Sequence, residues 1–246
     1  MKILGIIPSR FESTRLPGKP LLSIQGKTMI QRVYEQCQKT TCLSDIIVAT
    51  DDKRILEEVH RFGGKAMLTS KSHQSGTDRC AEVALNVENK YDFIINIQGD
   101  EPFIQPEQID ALASILTEKT QLATLIKKIE KTEELFDKNK PKVILRKDKT
   151  AIYFSRKTIP FQRGIEEKEW LKKHIYFKHI GIYAYHYNIL KEITKLKPSS
   201  LELAESLEQL RWIENGYTIQ TKETTIETFG IDTQEDLEKA RVHRIH

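Results

Sequence analysis

Three basic side chains in one short loop are the first residues of this chain that could do chemistry. Arg10, Arg15 and Lys19 follow the apolar run 3–7, which is typical of a strand buried on both faces. The loop backbone is restricted or bent by Pro17, Gly18 and Pro20. In open α/β sheets, ligands bind beyond the carboxyl ends of the strands. The loop therefore predicts an anion site, and three cations favour a polyphosphate. The alternative is a basic surface loop that is ion-paired with nearby acids.

Two aspartates are candidates for holding a metal ion. Asp100 follows a second apolar run, 91–97, at the predicted end of a strand. A carboxylate there would lie beside a bound triphosphate, and Mg²⁺ is usually held by one or two carboxylates together with substrate phosphates. The alternative is a turn residue, since Gly-Asp is common in turns. Asp232 lies 132 positions later, just before a predicted helix, and the residues alone do not pair it with Asp100.

The segment Ser-Gly-Thr-Asp-Arg at 75–79 is a candidate for binding a ligand at the start of a helix. The predicted helix that follows it has an apolar face that includes Cys80. Either Ser75 or Thr77 is suited to cap that helix. Arg79 has no obvious packing use at such a place, which favours a ligand-binding role for the segment.

Several motifs resemble the sugar nucleotidyltransferases that make CMP-linked acid sugars. The longest is P-S-R-x-x-S-T-R-L-P-G-K-P-L, which begins at Pro8. The others are S-G-T-D-R, Q-G-D-E-P, H-x-G-I-Y, L-E-Q-L-R and G-I-D-T-x-E-D-L. Within that family the chain is most similar to the 3-deoxy-manno-octulosonate (Kdo) cytidylyltransferases. The matches extend from residue 3 to about residue 240.

The resemblance implies a nucleotide site and a metal site in particular residues. Arg10 and Lys19 are implied to neutralise phosphates, and Asp100 and Asp232 to bind Mg²⁺, so these four form the implied catalytic set. The S-G-T-D-R segment is implied to hold the cytosine base. The implied nucleotide-binding residues are Pro8, Ser9, Arg10, Lys19, Ser75, Gly76, Thr77, Arg79 and Gln98. The role of Arg15 stays open between phosphate binding and structure.

The resemblance also implies a site for an acid sugar. Its residues are Gln98, Arg156, His179, Tyr183, Glu208 and Gln209. An arginine can bind a carboxylate through two hydrogen bonds, which suits Arg156. The residue pattern also allows ordinary alternatives. Arg156 would then be a surface side chain and His179 a hydrogen-bonded core histidine, while Glu208 and Gln209 would lie on a helix surface.

The activity that the resemblance implies is nucleotidyl transfer. The anomeric hydroxyl of Kdo attacks the α-phosphorus of CTP and gives CMP-Kdo and pyrophosphate, for lipopolysaccharide synthesis. The implied cofactor is Mg²⁺ and the implied assembly is a homodimer. Two alternatives remain, a related enzyme for another acid sugar such as a sialic acid and a non-catalytic nucleotide-binding protein. The sugar-site matches argue against the first, and Lys19, Asp100 and Asp232 argue against the second.

The fold must gather these distant loops at one edge. Apolar strands at 46–49 and 66–68 alternate with helices at 28–39 and 55–62, which predicts a parallel, right-handed βαβ sheet. Neither G-x-G-x-x-G nor the P-loop motif follows the first strand, so the usual dinucleotide and P-loop folds are disfavoured. We therefore predict a three-layer, mainly parallel α/β sheet, Rossmann-like and of the nucleotidyltransferase type.

The second half of the chain is predicted to carry a small lobe within a single domain, 1–246. Residues 139–186 are interpreted as an inserted lobe for sugar binding and dimerisation, with a strand at its end over 178–185. Ser199 and Glu202 have the spacing of a capping box. They predict a helix with Leu203, Leu207, Leu210 and Ile213 inward, ended by Gly216.

Composition excludes several classes of protein. A chain of 246 residues, 39% hydrophobic, suits one sizeable α/β domain. The net charge of +4 is small and not gathered in one block, so no nucleic-acid partner is predicted. Three cysteines without a C-x-x-C pair favour reduced thiols and a cytoplasmic location. No signal peptide is visible and no apolar stretch approaches the roughly 20 residues of a membrane span, so no membrane association is predicted.

Overall fold

A single twisted sheet organises the computed structural model, which describes residues 1–12, 15–87 and 90–242. The described strands are β1 (Ile3–Ser9), β2 (Ser23–Ile24), β3 (Lys27–Thr28), β4 (Asp45–Thr50), β5 (Ala66–Leu68), β6 (Phe93–Asn96), β7 (Leu122–Lys128), β8 (Lys142–Leu145), β9 (Ala151–Ser155), β10 (Phe177–His186) and β11 (Ile219–Glu223). Seven of them form the sheet in the order β11-β7-β10-β6-β1-β4-β5. β8 also pairs with β10, and β9 pairs with β8.

Helices cover both faces of this sheet. The described α-helices are α1 (Met29–Gln38), α2 (Lys53–Arg61), α3 (Gly76–Asn86), α4 (Pro106–Ala113), α5 (Thr132–Phe136), α6 (Trp170–Lys173), α7 (Tyr187–Ile193), α8 (Ser200–Glu205), α9 (Gln209–Glu214) and α10 (Gln234–Val242). Short 3₁₀ turns occur at Lys19–Leu21 and Glu167–Glu169. In the part of the chain that the structure describes, none of these helices is long and apolar enough to cross a membrane.

The central strands are parallel, as predicted. β1 pairs in parallel with β4 on one side and β6 on the other, and β4 pairs in parallel with β5. β10 runs antiparallel between β6 and β7, and β11 is parallel to β7. The predicted α/β class with a mostly parallel sheet is therefore confirmed. Because β1, β4 and β6 point the same way, their carboxyl ends meet at one edge.

Two hydrophobic clusters account for the three layers. Side chains alternate along β1, so Ile3 and Ile7 pack with α1, α2 and α4, whereas Leu4 and Ile6 pack with α3, α7 and α9. Each side chain is almost completely excluded from solvent. A strand apolar on both faces therefore lies at the centre of the sheet, as the run 3–7 predicted.

Most helix starts follow from their own sequence. Thr28, Asp52 and Ser75 each accept a hydrogen bond from a backbone N–H in the first turn of α1, α2 and α3. Pro106 occupies the first position of α4, where a missing N–H costs nothing. The capping box between Ser199 and Glu202 is present at the start of α8. The predicted caps at Ser75 and Ser199 are therefore confirmed.

The single helix predicted to run from Ser199 towards Gly216 is wrong. The chain forms two short helices, α8 and α9, because Ser206 adopts a left-handed conformation with φ of 52°. Leu203, predicted to face inward, is 69% exposed. The break is stabilised from outside the segment, since Arg156 donates hydrogen bonds to the carbonyl oxygens of Glu205 and Ser206. It also places Glu208 between the two helices.

The region predicted as a lobe contributes to two parts of the molecule. β8 and β9 join the main sheet through β10, whereas Trp170 of α6 and Tyr176 form a small separate core with Leu135. β10, the strand that ends the region, is a member of the central sheet between β6 and β7. The role assigned to residues 139–186 in sugar binding and dimerisation stays a prediction.

Candidate functional site

A cavity of about 460 Å³ lies at the carboxyl ends of β1 and β6, beside the start of α3. Its lining is mostly polar and comes from four separate parts of the chain. The lining residues are Pro8, Ser9, Arg10, Arg15, Lys19, Pro20, His73, Gln74, Ser75, Gly76, Arg79, Gln98, Gly99, Asp100 and Asp232. All the residues implied for the nucleotide, except Thr77, are in this set.

Lys19 joins the two aspartates that the sequence could not pair. Its ammonium nitrogen lies 2.7 Å from Oδ2 of Asp100 and 3.1 Å from Oδ1 of Asp232. Arg15 contacts the other oxygen of Asp232 at 3.0 Å. The Lys19 side chain is 13% exposed, so this charge is poorly screened by water. Asp100 and Asp232 therefore share one cation across 132 positions of sequence.

The backbone around Lys19 is fixed by local chemistry. Gly18 has φ of 66°, a conformation that side chains rarely adopt, and its N–H donates to the Phe11 carbonyl oxygen at 3.0 Å. A 3₁₀ turn begins at Lys19, and Pro20 fits its first positions. The turn directs the lysine towards the carboxyl end of β6, because the loop folds back on itself.

The position of Asp232 depends on two hydrogen bonds, one from its own backbone N–H and one from that of Ile231. The N–H of Ile231 donates to the Asp100 carbonyl oxygen at 2.9 Å, which ties the two metal candidates together through the main chain. The N–H of Asp232 donates to the Asp236 carboxylate, which also accepts from Thr233. Asp236 and Thr233 thus cap α10 and orient Asp232.

The end of β1 touches the turn that carries Asp100. A Cβ atom placed on Gly99 would lie 2.4 Å from Oγ of Ser9 and 2.9 Å from the carbonyl oxygen of Pro8. Only glycine allows such a close approach. The Ser9 hydroxyl is buried and has no hydrogen-bond partner among the described residues. It is therefore available to a ligand or a water at the cavity wall.

The predicted base-binding segment divides between the cavity and the core. Ser75 caps α3. A Cβ atom placed on Gly76 would lie 3.3 Å from the Pro8 side chain, so the start of α3 lies close to the end of β1. Thr77 is buried and donates to the Glu208 carboxylate at 2.7 Å, away from the cavity. The expectation that Arg79 lacks a packing use is wrong. It is buried against Asp51 at 2.8 Å and Thr69 at 2.5 Å.

A buried polar network leads from the cavity to the residues implied for the sugar. Gln98 donates to Asn96 at 3.2 Å, and Asn96 donates to the Tyr185 hydroxyl at 3.1 Å. That hydroxyl lies 3.2 Å from the hydroxyl of Thr77, which contacts Glu208. Burial raises the pKa of Glu208 despite these hydrogen bonds. The neighbouring Gln209 amide nitrogen is buried without a partner in the part of the chain described.

His179 and Tyr183 lie on β10 and do not line the cavity. The Thr124 hydroxyl donates to the Ile182 carbonyl oxygen, so it accepts from Nε2 of His179 at 2.9 Å. Burial lowers the pKa of His179 to about 3, which keeps the ring neutral. The two rings are 5.1 Å apart, and both side chains retain some solvent-accessible surface. They form a partly open aromatic wall beside the polar network.

The guanidinium group of Arg156 is not free to bind a sugar carboxylate in this conformation. Its three guanidinium nitrogens donate to the carbonyl oxygens of Glu205, Lys138 and Ser206. Its backbone N–H donates to the Glu205 carboxylate. In this conformation Arg156 fastens the α8–α9 break to β9. Its role towards an acid sugar stays a prediction.

Sequence reasoning missed three polar residues near the cavity. His73 and Gln74 line it, and His73 pairs with the Glu82 carboxylate of α3. Their position directly before S-G-T-D-R was the available signal. Glu101 lies beside Asp100, where burial and the Asp100 charge raise its pKa to about 7. The hydroxyl of Thr228 donates a long hydrogen bond of 3.4 Å to the Glu101 carboxylate.

The donor set at Lys19 suits a hard divalent cation only with help from a ligand. Asp100 and Asp232 offer carboxylate oxygens that already hold an ammonium cation. Across residues 1–12, 15–87 and 90–242, no group of three or more His, Cys, Asp or Glu side chains could hold a metal. Two carboxylates with substrate phosphates and waters are nevertheless the usual environment of Mg²⁺. The residues present therefore fit Mg²⁺ that arrives with a nucleotide triphosphate.

Known proteins with this sequence pattern are cytidylyltransferases. A family model described as "Cytidylyltransferase" matches residues 4–223, which leaves Asp232 outside the matched range. A 3-deoxy-manno-octulosonate cytidylyltransferase of Cytophaga hutchinsonii is 60% identical over 238 residues, covering 96% of this chain and 95% of the relative. The protein of the same description from Parabacteroides distasonis is 54% identical over 245 residues, covering 98% and 97%.

A solved structure has the same architecture. It is described as CMP:2-keto-3-deoxy-manno-octonic acid synthetase complexed with CTP. The two chains superpose with a TM-score of 0.91 at 43% sequence identity, covering 98% of this chain and 97% of the other.

Proposed function

The chain belongs to the cytidylyltransferase family, and we propose that the Lys19 cavity is where it transfers a nucleotide. The enzyme activates 3-deoxy-manno-octulosonate (Kdo) with CTP, giving CMP-Kdo and pyrophosphate. The observation that carries the assignment of the cavity is the shared contact of Asp100 and Asp232 with the Lys19 ammonium. Cations and carboxylates that alternate at one edge suit a triphosphate with a divalent cation.

The reaction forms one bond and breaks one bond at the α-phosphorus. The anomeric oxygen of Kdo bonds to phosphorus, the bond to the bridging oxygen of pyrophosphate breaks, and the hydroxyl proton passes to solvent. Such transfers depend on positioning and charge neutralisation more than on covalent help from the protein. Lys19 and Arg10 are placed to neutralise the phosphates. Arg10 is exposed and forms no ion pair with a described carboxylate, so it is free to turn towards a ligand.

We propose Mg²⁺ as the cofactor, held by Asp100 and Asp232. When bound, Mg²⁺ lowers the repulsion between the anionic sugar and the triphosphate. With such an ion held by Asp100 and Asp232, Lys19 would be released from the carboxylates and would neutralise the phosphates. Arg15 remains on Asp232 and keeps its carboxylate oriented.

We propose that cytosine binds where the loop that follows β1 meets the start of α3. Ser75, Gly76 and Gln98 line this end of the cavity, with His73 and Gln74 on the loop before α3. Backbone groups and amides can match the amino donor and ring acceptors of cytosine. Uracil would leave such groups unpaired, which costs about 1–3 kcal/mol.

We propose that the acid sugar binds beside the polar network, against His179 and Tyr183. Glu208 and Gln209 lie at the far end of that network, and Gln209 has a buried amide nitrogen without a described partner. An unpaired buried donor is costly, and a sugar hydroxyl would satisfy it. Arg156 would have to release at least one carbonyl oxygen before it could bind the sugar carboxylate.

We also propose a homodimer that forms through the lobe, in the cytoplasm. Phe161 is 72% exposed and packs against Trp170, and Phe136, which is 37% exposed, contacts the same ring. Apolar surface of this kind is typical of contacts between protein chains. All three cysteines are free thiols, which supports a reducing compartment.

A pyrophosphate-release assay tests the proposed function. It compares CTP with UTP, Kdo with a sialic acid, and reactions with and without Mg²⁺. We expect release with CTP, Kdo and Mg²⁺ together, and a preference for CTP over UTP of roughly tenfold or more. Turnover of the sialic acid in place of Kdo would contradict the sugar assignment. Equal rates with CTP and UTP would contradict the base site, and full activity without a divalent cation would contradict the metal site.

A further inference from the structure

Three lysines lie side by side across the sheet, which is an unusual arrangement for a buried surface. Lys178 of β10 is in register with Lys127 of β7 and with Lys142 of β8. Directly opposed like charges destabilise a sheet. Lys142 is completely buried, Lys178 is 3% exposed and the Lys127 side chain is 16% exposed. We call these three residues the lysine row.

The lysine row is balanced by acceptors from helix α5 and from the irregular segment that follows β11. Lys178 contacts Glu134 at 2.6 Å and both carboxylate oxygens of Glu227 at 2.7 and 2.8 Å. Lys127 donates to the carbonyl oxygen of Thr225 at 2.6 Å. A buried ammonium needs such partners, so the lysines and these segments hold one another in place.

Residues 224–232, here called the Asp232 segment, form no helix or strand. They run from β11 to the start of α10 and end at Asp232. An irregular segment of this kind has little stability of its own. Its contacts include the lysine row at Thr225 and Glu227, the Phe103 ring against Phe229 at 4.8 Å, and the Ile231 bond to Asp100.

We propose that Lys178 is a positioning residue for Asp232. It fixes Glu227, five positions before Asp232, to the sheet and so sets where the carboxylate stands relative to Asp100 and Lys19. The row reaches the sugar side as well, because Lys142 donates to the carbonyl oxygen of Arg156 at 2.9 Å. This role rests on the proposed function of Asp232 as a metal ligand.

Hydrogen–deuterium exchange on the free enzyme tests the positioning directly. The variant is Glu227→Gln, because Glu227 is 49% exposed and its loss leaves Lys178 paired with Glu134. Removing a charged hydrogen bond should raise amide exchange over residues 224–232 on the order of tenfold, with exchange in β1 unchanged. Lys178→Met should have the same effect, and Lys178→Arg should keep exchange close to that of the wild type.

The Mg²⁺ dependence of pyrophosphate release is the second measurement. At saturating CTP and Kdo, we expect Glu227→Gln to raise the half-saturating Mg²⁺ concentration on the order of tenfold, with the KM for Kdo unchanged. The matched control is Lys140→Met, since Lys140 contacts Glu134 but not Glu227. It should alter neither measurement.

Two results would overturn the proposal. One is unchanged exchange over residues 224–232 in Glu227→Gln. The other is faster exchange there with the same Mg²⁺ dependence as the wild type. That result would show that the lysine row holds the segment in place but does not position Asp232. If the wild-type enzyme needs no divalent cation, the proposed metal site fails. The exchange result on the free enzyme then still decides whether the row holds the segment.

Discussion

Lys19 is a single side chain that balances the charge of two carboxylates from opposite parts of the chain. Its low exposure makes its electrostatic interactions stronger than those of a surface lysine. In the proposed reaction it neutralises negative charge that moves onto pyrophosphate. The effect of removing it should therefore appear in turnover more than in folding.

Lys19→Ala is expected to reduce turnover on the order of 10²-fold or more, because a preorganised charge at the leaving group is lost. The measurement is steady-state pyrophosphate release, with a denaturation curve to show that the variant is folded. Lys27→Ala is the matched control, since Lys27 is exposed and pairs with Glu35, away from the cavity. Near-normal turnover in a folded Lys19→Ala variant would contradict the role of this residue.

Asp100→Asn and Asp232→Asn are each expected to lower kcat/KM on the order of 10²-fold or more, because each removes one carboxylate from the same cation site. The double variant should be little worse than either single variant, since either loss disables the same step. The comparison needs the two single variants and the double variant under saturating Mg²⁺. Losses that simply multiply would show that the two carboxylates act independently.

The turn between β6 and α4 is an element whose shape depends on Gly99. The turn lies against the end of β1, with no room for a side chain between Gly99 and Ser9. It brings Asp100 to the cavity and places the Glu101 side chain close to the backbone of Gly181 and Gly230. The contact of two loops, rather than either loop alone, therefore defines this wall of the site.

Gly99→Ala is expected to lower the free energy of unfolding by about 1–3 kcal/mol, because the new methyl group displaces the end of β1. Turnover should fall by tenfold or more, since small displacements of reacting groups are costly. Gly164→Ala is the control: Gly164 has φ of 77° and open space at the Cβ position. It should cost stability without changing turnover, and equal losses of turnover in both variants would contradict the prediction.

Helix α5 is held to the sheet by the Glu134 carboxylate, which accepts a hydrogen bond from Lys178 and loses its charge at low pH. Burial would raise the pKa of Glu134, but hydrogen bonds from Lys140 and Lys178 outweigh it and lower the pKa from 4.5 to about 2. A depressed carboxyl pKa contributes stability that is fully present above the unfolded value and is lost as pH falls towards the folded value. The contribution of Glu134 should therefore disappear between about pH 4.5 and pH 2.

Glu134→Gln is expected to lower the free energy of unfolding by about 1–3 kcal/mol at pH 6, because charged hydrogen bonds are lost. The difference from the wild type should shrink as the pH is lowered from 4.5. Denaturation curves at pH 6, 4.5 and 3.5 measure it. A difference that stays constant over this range would show that the ionised carboxylate is not the source of the stability.

At the scale of the whole molecule, the lobe carries both a small core and an exposed apolar surface. Trp170, Tyr176 and Leu135 are buried in that core, yet Phe161 packs edge-on against Trp170 while most of its own surface faces solvent. Large exposed apolar side chains grouped at one place are unfavourable in an isolated chain. In the proposed homodimer, a second copy of the chain would cover them.

Phe161→Ser is expected to weaken the homodimer on the order of tenfold or more in Kd, because burial of an aromatic side chain contributes about 1.5–3 kcal/mol. Sedimentation velocity over a range of concentrations measures the change. The control is Leu85→Ser, since Leu85 is exposed on α3 outside the lobe. A wild-type chain that is monomeric at every concentration would contradict the proposed assembly.

The sequence by itself determined what is decided within a few residues. Ser75 and Ser199 cap their helices as predicted, because a cap needs only a side-chain oxygen and an N–H three positions away. The parallel class followed from apolar runs that alternate with amphipathic segments. The family also followed from the sequence, since its motifs are long and continuous.

Only the tertiary structure decided which distant groups meet. The sheet order places the Lys19 turn, Asp100 and Asp232 at one edge, and no local pattern carries that order. The same reason explains where prediction failed. Ser206 breaks a helix whose periodicity looked continuous, because Arg156 holds its carbonyl oxygen from another strand's end. Arg79 was expected to be free, but it is buried against Asp51, which lies 28 positions away. Hydrogen bonds between remote segments depend on the packed sheet, so the sequence could supply these residues but not their partners.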